Sequence, residues 1–230
     1  MSVMQSVIEK RRFRPTGLVL VALWTIGFIG VSSAPVARGE DPVFSGPQPG
    51  EKLTPLKLSG VYDDAAGQEF DAVADADGKP TLLVFVHKLT RPGLGLARGL
   101  TNYAHSLKDP PSYSAIVWLN DDKAEAEAFL NRARPSLNLK VPVGISIDGG
   151  EGPGAYGLNR NVELTVLVAK DNKVLANFAL IQPSMTDGVK IAGEFAKALG
   201  KTPPTAEELQ KIAYPGRAMN MRRRPNPSRE

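Results

Sequence analysis

The sequence predicts an α/β fold with a central mixed sheet, in which parallel strands are followed by a terminal antiparallel hairpin and helices flank both. Three observations carry this expectation. Thr81-Leu-Leu-Val-Phe-Val86 is a continuous apolar run without alternation, as expected of a strand covered on both faces. Strand-like and helix-like stretches alternate after it, the order that parallel crossovers impose. Towards the carboxyl end, two strand-like runs flank Asp171-Asn172, which reads as a hairpin.

Taken in order, Leu56–Val61 suggests a short edge strand before an acidic turn, and 71–78 reads as a loop leading into the strand at Thr81. That loop fails as a calcium site. With Gly78 at the sixth position, Val73 and Val84 stand where carboxylates are required. A helix is expected from Arg91 to about Leu107, with Thr90 as N-cap and Pro92 in the first turn, where a missing N–H costs nothing. Leu96, Leu100, Tyr103 and Leu107 give it one apolar face. Ser112–Leu119 is the second central strand, and a helix with acidic residues near its start follows from Asp121, ending near Arg134 before Pro135. Val141–Ile147 supplies a third strand, followed by a glycine-rich loop that lacks the lysine and hydroxyl of a phosphate cradle. The hairpin spans 163–170 and 173–180. Asp187–Leu199 is an amphipathic helix stopped by Gly200, and Thr205-Ala-Glu-Glu208 opens a last short helix with a capping box.

The two ends differ from this middle. Lys10-Arg-Arg-Phe-Arg14 followed by the uncharged run Gly17–Ala34 reads, within 1–37, as a secretory signal or, uncleaved, as a membrane anchor. Residues 38–48 read as an extended linker, 49–200 as the domain, 201–213 as a short terminal helix and 214–230 as a disordered basic tail. Each end, 1–39 and 214–230, carries five basic residues and one acidic residue. Against a total of +4, this leaves 40–213 at −4. The domain itself therefore gives no sign of a nucleic-acid surface. The tail offers one candidate contact with an anionic surface, through Arg222, Arg223 and Arg224.

Gly78-Lys-Pro-Thr-Leu-Leu-Val-Phe85 resembles the first central strand of thioredoxin-like redoxins, the group that contains peroxiredoxins and periplasmic thiol oxidoreductases. Ala155-Tyr156-Gly157 and the hairpin are also similar to that group, and the resemblance covers about 49–200. In those proteins the strand leads into Trp-Cys-Gly-Pro-Cys; in register with Phe85 this chain has Leu89, Thr90, Arg91, Pro92 and Gly93. The resemblance also implies a cis-proline before the hairpin strand, and Glu163 stands there. No cysteine occurs anywhere, so dithiol exchange and cysteine-based peroxide reduction are excluded, because a threonine hydroxyl stays protonated where a thiol would ionise.

The expected function is that of an exported domain of this fold without thiol chemistry. It would bind a peptide, a protein or another envelope component through a degenerate groove lined by His87, Thr90, Arg91, Pro92, Gly93 and Glu163. No catalytic residue, cofactor or metal is expected. The chain has two histidines, His87 and His105, and a metal centre needs several ligands brought together. One alternative is a redoxin-like enzyme of antioxidant or transferase type, in which His87 serves as base for Thr90 and an external thiol takes part. Another is a purely structural envelope protein.

Overall fold

The computed structural model describes residues 43–213, so both charged ends and the Arg222–Arg224 cluster lie outside the described residues. Among the described residues, strands β1 (Lys57–Gly60), β2 (Glu69–Asp71), β3 (Thr81–Val86), β4 (Tyr113–Trp118), β5 (Val143–Ser146), β6 (Leu164–Lys170) and β7 (Lys173–Leu180) form one sheet in the order β2-β1-β5-β4-β3-β6-β7. Helices are α1 (Ala72–Ala76), α2 (Arg91–Ser106), α3 (Lys123–Leu137), α4 (Met185–Ala198) and α5 (Ala206–Ala213). The α/β class with parallel centre and terminal hairpin is thus the observed one.

β3 sits in the middle because all six of its side chains are apolar or buried threonine. It pairs with β4 in parallel and with β6 antiparallel. Its period of two divides them: Leu82, Val84 and Val86 meet Leu96 and Leu100 of α2 and Ile191 and Phe195 of α4, whereas Leu83 and Phe85 meet Leu56, Leu167 and Tyr156 on the other face. α5 lies close over α2, since a Cβ on Gly99 would stand 2.9 Å from the Ala213 Cβ. The β6–β7 turn places Asp171 and Asn172 at φ +52° and +56°, the left-handed pair whose twist matches the two strands it joins.

Four expectations are corrected. The strand at 57–60 is not an edge, because β2 pairs outside it. The supposed loop 71–78 contains the short helix α1, built on a single side chain: one oxygen of Asp71 accepts the amides of Leu56, Val73 and Ala74 at 3.0, 2.9 and 3.2 Å. α3 does not stop before Pro135 but runs to Leu137. A proline this close to the end removes one hydrogen bond without interrupting a long ladder, and Asn138, in the left-handed region, closes the helix on the Arg134 carbonyl. Finally, the extended linker expected to reach residue 48 is docked from its first described residues, with Ser45 and Pro47 buried against the sheet.

Replacing Asp71 by alanine strands three amides at once. It is expected to cost about 2 kcal/mol of stability in urea titration, against a few tenths for Asp75→Ala on the exposed side of the same helix.

Candidate functional site

The turn after β3 is held by the backbone of one residue. The Glu163 carbonyl accepts the amides of His87 at 3.0 Å and Lys88 at 3.3 Å, and the Glu163 amide donates to the Leu180 carbonyl at 2.7 Å. α2 starts immediately beyond. Thr90 is extended at φ −119°, ψ 151°, and its Oγ1 accepts the Gly93 amide at 3.1 Å, capping the helix. The same hydroxyl donates to the Glu163 carboxylate, Oε2, at 2.6 Å. Thr90 and Glu163, 73 residues apart, therefore form one hydroxyl–carboxylate pair at the amino end of α2, where an anion is favoured by the helix dipole.

Gly93 is buried beneath this pair, where a Cβ would lie 2.9 Å from Thr90 Oγ1 and 3.5 Å from Glu163 Oε2. Arg91 and Pro92 face solvent, and so does Leu89, which is 52% exposed. The Lys88 ammonium donates to the Asn161 carbonyl at 3.1 Å, closing the turn against the segment before β6. The peptide bond before Glu163 is not among the cis bonds of the described residues.

His87 does not join this group. Its Nε2 is 2.8 Å from Thr165 Oγ1, on the opposite side of the sheet plane, and Thr165 Oγ1 is in turn 2.5 Å from Ser45 Oγ. The reading in which His87 serves Thr90 as a base is therefore corrected. β3 and β6 alternate their side chains, and the ring follows the Leu83 and Phe85 face, whereas Thr90 begins the helix covering the other. Burial first, and the neighbouring Lys88 charge second, together lower the His87 pKa from 6.5 to about 4, so the ring is neutral at pH 7. Its Nδ1 is buried with no hydrogen-bond partner among the described residues. His105 is exposed at the far end of α2. Among the described residues no group of three or more metal-binding side chains converges.

Sequence reasoning brought together Thr90, Arg91, Pro92, Gly93 and Glu163, but it missed Thr165, Ser45, Asn159 and Asn177. Thr165 carries a faint signal, a lone hydroxyl at an inward position of an otherwise apolar strand. Ser45 carries none. Two open grooves, of about 770 and 440 Å³, adjoin at the other end of the sheet along Lys140–Pro142 and include none of the expected residues.

No family model matches this sequence, and no curated protein matches it either. Solved structures do share its fold. One, described as a thiol:disulfide interchange protein DsbE from Chlorobium tepidum, is 19% identical, covers 66% of this chain and 99% of its own, and superposes with a TM-score of 0.54. An uncharacterized conserved protein from Geobacillus kaustophilus is 16% identical over 68% of this chain and 85% of its own, with a TM-score of 0.51. A hypothetical protein from Sinorhizobium meliloti is 13% identical over 69% and 88%, also at 0.51. The fold is thioredoxin-like, and this chain carries it without a cysteine.

The folded-state pKa of His87 lies below its unfolded value. From pH 6.5 down to about 4, the unfolded chain binds a proton that the folded chain refuses, so stability falls with falling pH across that window. The loss should be on the order of 3 kcal/mol, and His87→Gln should remove it from a series of urea midpoints, leaving the carboxylate contribution common to both proteins.

Proposed function

We propose that this chain is an exported thioredoxin-like binding domain, without thiol chemistry, that contacts a peptide, protein or other envelope component through the turn at 88–93. The observation that carries this reading is the Thr90–Glu163 pair. Where a reactive dithiol would need a thiolate at the start of α2, a neutral hydroxyl donates a hydrogen bond to a carboxylate and accepts one from the Gly93 amide, so the hydroxyl is used as both donor and acceptor. Neither oxygen is set up as a nucleophile, and among the described residues no third side chain is hydrogen-bonded to the pair. The side chains outside the pair are turned outward instead. Leu89 and Arg91 expose an apolar and a cationic group on a turn whose backbone is fixed by the Glu163 carbonyl, a combination suited to surface recognition.

Export is supported by the basic start and apolar run of 1–34, and the absence of cysteine leaves the domain to be held by its core. The tail adds an electrostatic contact of its own, with Arg222, Arg223 and Arg224 reaching anionic headgroups or wall polymer.

Capture of envelope material by the immobilised chain should fall roughly tenfold in a Leu89→Ala, Arg91→Ala double variant whose melting temperature is unchanged. Capture that survives deletion of 88–93 in a chain still folded by circular dichroism sinks the reading. Retention on anionic vesicles should in turn depend on residues 215–230 and weaken with salt; a truncated chain that binds equally well removes the tail from the account.

A further inference from the structure

Residues 43–48 cross β6 and β7 as a strap, and most of what holds them is polar. Ser45 Oγ meets Thr165 Oγ1 at 2.5 Å and accepts the Asn159 amide at 3.0 Å. The Asn177 Nδ2 group donates to the carbonyls of Ser45 and Pro47, both at 2.8 Å, and Asn159 Nδ2 donates to the Phe44 carbonyl at 3.2 Å. The Gly46 amide donates to the Gly157 carbonyl at 3.2 Å. Val43 and Phe44 remain 38% and 63% exposed. By contrast Leu53 and Leu56, just beyond, are core residues at 8% and 0%, so the chain is fixed there whether or not the strap is seated. Lifting 43–48 gives up hydrogen bonds that water can replace, and of its apolar side chains only Pro47 is buried, which places the strap below the core in local stability.

Beneath the strap is a slot built from Thr165, Asn177, Asn159 and the His87 ring. Its polar hydrogens do not balance. If Ser45 donates to Thr165 and Thr165 to His87 Nε2, the proton left on Nδ1 has no acceptor; if the chain runs the other way, the Ser45 hydroxyl has none. The slot also selects its occupant. Gly46 lies at φ +82°, and a Cβ there would stand 3.3 Å from Thr165 Cγ2 and 3.5 Å from Asn177 Nδ2, so glycine must follow the hydroxyl residue.

We propose that this slot is a peptide-binding site which the chain closes with its own residues 43–48, and that its ligand is an extended peptide carrying a small hydroxyl residue followed directly by glycine. The inference rests on the reading of this domain as an envelope binding module and names the ligand class for a second surface beside the 88–93 turn. Because the strap is tethered, it competes at an effective concentration in the millimolar range, and an incoming peptide binds more weakly by the fraction of time the slot is open.

The test uses the full chain and a fluorescein-labelled peptide of sequence Val43–Gly50, read by anisotropy. Gly46→Val puts a branched side chain at a left-handed φ and unseats the strap, so the peptide should bind at least tenfold tighter than to the unaltered chain; Thr165→Val, added to it, should abolish that gain. Ser45→Ala, which strains nothing, provides the same comparison if Gly46→Val lowers the melting temperature. No gain in either strap variant, or a gain indifferent to Thr165→Val, overturns the proposal. Loss of peptide binding with envelope capture intact would leave the reading of the 88–93 turn standing, and loss of capture with peptide binding kept would do the reverse.

Discussion

The backbone of Glu163 is the constraint on which the rest of this end of the molecule depends. Its carbonyl takes the amides of His87 and Lys88, its amide goes to the Leu180 carbonyl, and so the ends of β3, β6 and β7 are tied at one point. α2 begins three residues after Lys88, and its direction follows from that tie together with the apolar stripe that seats Leu96 and Leu100 on β3. Because the same residue carries a carboxylate, backbone and side chain act together. The backbone groups position the turn, and the Oε2 atom meets the hydroxyl that caps the helix.

That coincidence explains how a thioredoxin-like scaffold is filled without sulfur. A helix start leaves amides pointing outward and favours negative charge, and a thiolate placed there becomes reactive. Here the Glu163 carboxylate supplies the negative charge, while Thr90 bridges carboxylate and amide as donor to one and acceptor from the other. The arrangement needs close approach, which is why the residue after Pro92 has no side chain: a Cβ at Gly93 would enter the pair. The field of the helix is met internally, by the Glu163 carboxylate and the Thr90 hydroxyl.

The two faces of β3 and β6 divide the remaining polar groups. Leu164 and Val166 face α2 and α4, so Thr165 between them faces away, and His87, the first residue beyond β3, turns to the same side. There the alternation puts a neutral, desolvated imidazole in line with two buried hydroxyls, one of them on the strap. The strap's contacts with Asn159 and Asn177 show why residues before 49 are already docked: carbonyls of an extended chain lie against side-chain amide donors at the sheet's end.

What the sequence determined by itself is whatever neighbours along the chain decide. An unbroken apolar run made β3 central, Thr90 before Pro92 set the start of α2, two residues tolerant of positive φ set the hairpin, and Thr205 with Glu208 capped the last helix. The absence of cysteine was equally plain. What only the tertiary structure decided is whatever depends on register across the sheet. A three-residue edge strand and a five-residue helix are too short to show a period, and their stability comes from Asp71 gathering an amide from Leu56, 15 residues away. The side to which His87 turns, and the partnership of Ser45 with Thr165 across 120 residues, follow from which strands lie side by side. Hydrogen bonds between distant hydroxyls leave no periodic trace in a sequence, because their partners are chosen by the packing of the sheet and not by the residues next to them.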